Sequence, residues 1–250
     1  RSRARLLKMS QSRTIVLVHG AAHGGWCWCD VAAILRASGH DVTTPSLSGL
    51  GERAHLLNET IDLETHLDDL ANHLVWEDLW NVVLVGHSYG GAVVAGVADR
   101  LRERIAHLIL LDAFFMLDGE TCMDQVDADV AAERVRLAQE TSNGLMLPDA
   151  PPSFFGVVDT AQQDWLASKL TAHPLLTYTM PLRLQRPLGD GLHCDYIACV
   201  DPAFAPMARA HQRAREAGWP VHALETGHDA MVSAPVETAD LLERIAAGSE

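Results

Sequence analysis

Asn81-Val82-Val83-Leu84-Val85-Gly86-His87-Ser88-Tyr89-Gly90-Gly91-Ala92-Val93-Val94 joins an aliphatic, β-branched run to a glycine-rich turn and then to a stretch with helical spacing. A short apolar run without alternation is the pattern of a parallel strand buried on both faces. Gly86-x-Ser88-x-Gly90 at a strand-to-helix junction is the pattern of a nucleophile elbow: the serine sits in a strained turn with its hydroxyl projecting, and the glycines let strand and helix approach closely. By composition alone the pentapeptide arises about once in ten chains of this length. The strand before it, the helix after it and the extra Gly91 make the occurrence here specific.

Outward from this junction the same grammar repeats. Apolar runs at 14–18, 107–111, 196–200 and 221–224 read as further strands. Helical spacing occupies 31–38, 63–76, 92–102, 208–217 and 236–246. Strand alternating with helix predicts an α/β fold with a mostly parallel sheet of about six strands and right-handed crossovers. Residues 115–190 break the alternation. They carry helix-like pieces at 126–140 and 160–170, punctuated by Pro148, Pro151, Pro152, Pro174 and Pro181, and are expected to form a helical lid inserted into the core. The core then comprises 14–114 and 191–250. Residues 1–13 read as a leader or expression remnant, with the basic opening 1–8 lacking a secretory signal's apolar centre and Met9 a natural start.

A serine hydroxyl needs a neighbouring base. Of thirteen histidines, His228 is the candidate: it follows the last predicted strand in Glu225-Thr226-Gly227-His228 and precedes the last helix, and where an elbow serine is used the chain order is serine, acid, histidine. That base must be neutral, so activity is expected to fall as pH drops through the histidine range. The acid has two candidates. Asp201, in Cys199-Val200-Asp201-Pro202, follows the penultimate strand where chain order points; Asp112 ends the strand after the nucleophile. Either carboxylate could hold the imidazole's tautomer, and either could serve only a turn or a loop; strand order favours Asp201. The loop His19-Gly20-Ala21-Ala22-His23-Gly24-Gly25-Trp26 is suited to donate a backbone N–H to a tetrahedral oxyanion, with the residue after the nucleophile giving the second, so Ala21 and Tyr89 are the expected donors. His23, Trp165 and Phe154 are expected to touch substrate.

Charge and composition narrow the partners. A formal net charge of −14 argues against a nucleic-acid partner, which needs clustered Lys and Arg. Asp112 interrupts the longest apolar run, 108–117, so no segment spans a bilayer and no membrane partner is expected. Five cysteines at scattered spacings suit reduced thiols in a cytoplasm, and the Cys27/Cys29 spacing does not suit zinc. Neither a metal nor a cofactor is expected; the partner is a small-molecule ester, and a homodimer stays open.

With these residues in view the chain resembles the α/β-hydrolase superfamily, and within it the small esterases akin to plant methylesterases and hydroxynitrile lyases. The resemblance runs from Thr14 to Ala246 and is carried by the 19–26 loop, by 86–91 and by Gly227-His228-Asp229-Ala230-Met231; Ser48-Gly49-Leu50-Gly51-Glu52-Arg53 is similar to bacterial hydrolases. The acid loop is about one residue shorter after Cys199 than the plant pattern. Family lyases carry Thr where Gly20 stands and Lys where Asp229 follows the histidine, a cation that departing cyanide requires. The resemblance therefore implies ester hydrolysis through an acyl-enzyme, with carbon-carbon or cyanohydrin cleavage, or a ligand-binding receptor with residual hydrolysis, as alternatives on the same scaffold.

Overall fold

The computed structural model describes residues 12–148 and 150–248. Six strands form one parallel sheet: β1 (Thr14–Val18), β2 (Asp41–Thr43), β3 (Val82–His87), β4 (Ile105–Leu111), β5 (His193–Cys199) and β6 (Val221–Leu224), in the order β2-β1-β3-β4-β5-β6. The helices are α1 (Cys29–Ala37), α2 (Leu63–Trp76), α3 (Gly90–Arg100), α4 (Ala128–Ser142), α5 (Thr160–Ala167), α6 (Leu176–Thr179), α7 (Ala208–Glu216), α8 (Ala230–Ser233) and α9 (Pro235–Ala247).

The period of two along each strand splits the core into two layers. Val16, Val18, Leu84, Leu108, Leu110 and Tyr196 face the layer made with α2, α3 and α7. Ile15, Leu17, Val83, Val85, Ile109 and Ile197 face the layer made with α1 and α9. Both faces are dry, which is why these strands read as continuous apolar runs. α2 starts where a capping box closes it: Thr65 N–H donates to Asp62 Oδ1 at 2.8 Å and Asp62 N–H to Thr65 Oγ1 at 3.4 Å. Leu63, Leu67, Leu70 and Leu74 then bury one stripe against the sheet.

Three departures from the sequence reading concern boundaries. β2 was not anticipated; it has a single buried residue, Val42, and exists because its backbone pairs with β1 over Thr14–Asp41, Ile15–Val42 and Val16–Thr43. β3 runs on through Gly86 and His87, paired with Leu110 and Leu111. β5 begins at His193, opposite His107, and Val200 lies outside it. Among the described residues, 115–190 contribute no strand to the sheet; they hold α4, α5 and α6 and an isolated antiparallel bridge between Met146 and Pro174. The expected leader falls almost wholly on residues 1–11, outside the described residues. All five cysteines are free thiols. Among the described residues no helix is long and apolar enough to cross a membrane, and no cluster of three or more His, Cys, Asp or Glu side chains is arranged to hold a metal ion.

Candidate active site

The carboxyl ends of β1, β3 and β4 and the loop after β6 converge on Ser88. Ser88 holds φ of +53° between β3 and α3, a left-handed backbone that costs a non-glycine residue about 1–2 kcal/mol. Its neighbours dictate glycine. A Cβ on Gly90 would stand 2.7 Å from the His19 carbonyl oxygen and 2.9 Å from that of Val18, and one on Gly91 would stand 2.9 Å from Ala113 Cβ and from Phe114 N. Two backbone bonds tie the turn to β4 and the segment after it: Ser88 N–H donates to Leu111 O at 3.4 Å, and Phe114 N–H to Ser88 O at 3.1 Å.

Ser88 Oγ–H donates to His228 Nε2 at 2.9 Å, and His228 Nδ1–H donates to Asp112 Oδ2 at 2.6 Å. Ser88 is 8% exposed, His228 1% and Asp112 0%. Asp112 also holds φ of +41°. Its other oxygen, Oδ1, accepts from His211 Nε2–H at 2.7 Å and from the Cys199 N–H at 3.2 Å. Burial pushes this carboxyl's pKa up, but the hydrogen bonds from His211 and His228 outweigh it and hold it below the usual carboxylate range, so the group is ionised.

The imidazole's partner is therefore Asp112, the rival candidate, and not Asp201. The reason is geometric. β4 lies beside β3, whereas beyond β5 the chain turns off to follow β6: Val200 N–H bonds Leu224 O at 3.0 Å, Asp201 N–H bonds Thr226 O at 3.2 Å, and the Asp201 side chain is exposed. The end of β5 instead serves the acid on β4 through the Cys199 N–H.

Ala21 and Tyr89 are the two backbone donors that sequence singled out. Among the described residues neither N–H has an intramolecular acceptor, as free oxyanion donors require. Gly20 presses this loop onto the nucleophile: a Cβ there would lie 2.9 Å from both Ser88 Cβ and His87 Nδ1. His23 is not available to a substrate. It is 1% exposed, its Nδ1–H donates to Ala21 O at 2.7 Å, and its Nε2–H donates to Asp229 Oδ2 at 3.0 Å. Burial pulls this histidine's pKa down, but the Asp229 carboxylate outweighs that and raises it, while burial on Asp229 is in turn outweighed by His23. Trp165 packs edge-on against Trp26 at 5.2 Å, against the core layer made with α1 and α9. Phe154 is 41% exposed and meets Phe155 and Phe204 edge-on.

Two rings border the imidazole: Phe155, one of the insertion's apolar residues expected to bound the substrate pocket, and Phe204, which the sequence reading did not place. Phe204 stacks on His228 with centroids 4.1 Å apart, and Phe155 lies parallel to it at 6.5 Å. The only sequence signal for Phe204 was an aromatic residue in the short loop after the fifth strand. His87 Nε2–H donates to the His228 carbonyl at 2.9 Å; burial drops its pKa to about 3, so it supports the base as a neutral ring. The insertion reaches the same loop: Asp229 N–H donates to Phe155 O at 3.0 Å, and the Gly156 and Gly227 backbones approach so closely that a Cβ on either would stand 2.9 Å from the other's Cα.

A parallel sheet with an elbow serine at its centre defines a hydrolase scaffold of the α/β class, and the comparisons agree. The pattern of the Alpha/beta hydrolase family matches residues 15–241. A carbendazim hydrolyzing esterase from Nocardioides sp. (strain SG-4G) is 40% identical over 238 residues, 91% of this chain and 97% of that protein. Methyl jasmonate esterase 1 of Vitis vinifera is 36% identical over 107 residues, 42% of this chain and 40% of that protein. Among solved structures, an extracellular α/β-hydrolase from a Paenibacillus species superposes with a TM-score of 0.79 at 23% identity, covering 93% of this chain and 98% of that one. The chain belongs to the alpha/beta hydrolase family. Within it, the chain is an esterase, a carboxylesterase-type hydrolase.

Proposed function

We propose that the protein cleaves small carboxylic esters through Ser88, His228 and Asp112, by way of an acyl-enzyme. The observation that carries this reading is the unbroken, buried chain of hydrogen bonds from Ser88 Oγ through both imidazole nitrogens to an ionised Asp112. Asp112 keeps the proton on Nδ1, so Nε2 offers its lone pair to the serine hydroxyl. As Ser88 Oγ bonds to the ester carbonyl carbon, its proton passes to His228 Nε2; the carbonyl oxygen becomes an oxyanion received by the Ala21 and Tyr89 N–H groups. The imidazolium formed between Asp112 and the reacting atoms then protonates the alcohol as its C–O bond breaks. Water, deprotonated by the same nitrogen, attacks the acyl carbon and frees the acid and the serine. The helical insertion, whose Phe155 borders the imidazole, acts as a lid over this centre. Relatives named as methylesterases support an ester with a compact alcohol such as methyl as substrate.

Cyanohydrin cleavage is less well served. The position after the base carries a carboxylate, Asp229, fully buried and paired with His23, where cyanide departure calls for a cation.

The test is hydrolysis of a p-nitrophenyl and methyl ester series by wild type and Ser88→Ala, with labelling by a fluorophosphonate read by intact mass. Ester turnover that falls by about 10⁴ or more in the variant, with labelling lost, supports the reading. Ligand binding without turnover, or cyanide release from a cyanohydrin with esters untouched, would overturn it.

A further inference from the structure

We infer that three buried histidines outside the proton-transfer chain, His19, His23 and His173, set the oxyanion hole by together holding the two peptide groups that join Gly20, Ala21 and Ala22, so that the insertion, which supplies His173, helps to shape the hole. This rests on the reading above that the Ala21 N–H receives the oxyanion.

The argument starts from the planarity of the peptide, in which C=O and N–H point in opposite directions. The Gly20 carbonyl accepts from His19 Nδ1–H at 2.8 Å, which turns the Ala21 N–H of the same peptide away from His19. The next peptide is gripped from both ends. Its carbonyl, Ala21 O, accepts from His23 Nδ1–H at 2.7 Å, and its N–H, on Ala22, donates to His173 Nδ1 at 3.1 Å. Ala22 carries φ of +64°, a conformation an alanine does not adopt unaided, and the two imidazoles hold it there. Thr171 adds a third bond from the insertion, its N–H to Ala22 O at 2.9 Å.

The pattern of donors and acceptors fixes each ring's state. His19 gives Nδ1–H to Gly20 and accepts the Leu47 N–H at Nε2 (3.2 Å), so it is neutral; burial takes its pKa to about 3. His173 accepts at Nδ1, so its proton is on Nε2, which donates to Thr177 Oγ1 at 2.9 Å while that hydroxyl donates to Pro174 O at 2.8 Å. Burial keeps His173 well below its ordinary value. His23 faces acceptors at both nitrogens, Ala21 O and Asp229 Oδ2, and is an imidazolium. Each ring differs in charge or tautomer, and each state is the one its peptide partner demands. Ordinary packing would require none of this. These are positioning residues, since none bonds to Ser88 Oγ.

The test compares His173→Leu, which removes the acceptor, with His173→Asn, whose side-chain oxygen can take the place of Nδ1. Turnover is expressed per active site counted by fluorophosphonate titration. We expect His173→Leu to lose about 10²-fold in kcat, the cost of a displacement near 1 Å, with KM within about twofold. Affinity for a trifluoromethyl ketone, which forms a tetrahedral oxyanion on the serine, should fall in step with kcat/KM, and His173→Asn should recover most of both. A His173→Leu enzyme with wild-type kcat per titrated site, whatever its thermal stability, overturns the inference. Imidazole 15N spectra of the wild type at pH 7.5 give a readout independent of turnover: His23 protonated on both nitrogens, His19 on Nδ1 alone and His173 on Nε2 alone. Any other state for one of them also overturns it. A wild type that shows these spectra yet hydrolyses no ester refutes the functional reading and leaves the clamp standing.

Discussion

Asp112 and Asp201 each lie just beyond a strand and each suit a carboxylate role, yet only Asp112 meets the imidazole. Asp112→Asn should leave the fold intact and lower kcat by about 10⁴, because the amide stabilises the wrong tautomer of His228. Asp201→Asn should stay within about twofold of wild type. Steady-state kinetics on one aryl ester checks both, and equal losses would refute the assignment. The serine and its base were legible in the sequence because their signals are local: a glycine-framed turn after a strand, and a Gly-His step before the last helix. The acid was not, because the choice depends on which strand lies beside β3, a fact of sheet order that no local pattern carries. His23 misled for a related reason. A histidine in a glycine loop reads as a substrate contact, and its true partner, Asp229, is 206 positions away.

Elements were legible where one stripe or one cap decides them. α2 spans the predicted 63–76 because Asp62 and Thr65 close its first turn and four leucines recur along one face. β2 escaped notice because three residues with one apolar side chain carry no period; the pairing with β1 makes the strand. In the insertion, α4 buries only Ala138 and was found by spacing, whereas the four residues of α6 were too few to register. The junction of β3 with α3 leaves no room for a side chain at Gly90. Gly90→Ala would drive a methyl into the carbonyls of Val18 and His19, both backbone atoms at the end of β1. We expect it to destabilise the protein by about 3 kcal/mol, measured by urea unfolding. A loss below about 1 kcal/mol would mean that the elbow is looser than these contacts require.

For the molecule as a whole, buried neutral histidines dominate the response to acid. Burial lowers His19 and His87 to about 3, His66 to about 4 and His173 well below 6.5. In the unfolded chain each titrates near 6.5, so as pH falls below that value the unfolded state takes up protons that the folded state refuses, and stability declines with pH. Four such groups cost about 5 kcal/mol per pH unit. Against a typical stability of about 5–15 kcal/mol, the loss accumulated below pH 6.5 removes most of the stability while the lowered carboxyls Asp112 and Asp229 still keep their charge. His23 works in the opposite sense: its pKa is raised, so its contribution is whole below about 6.5 and is lost as pH climbs through the folded value. Urea midpoints by circular dichroism from pH 4.5 to 9 should therefore fall steeply on the acid side; a flat profile between pH 5 and 7 would contradict the burial of these rings. The nucleophile and its carboxylate sit just beyond the ends of two neighbouring paired strands, and the base alone arrives on a separate arm. The Asp201-Pro202 stretch is thereby relieved of duty. Its length and sign can change without touching the proton-transfer chain, provided that Phe204 still comes to rest on the imidazole.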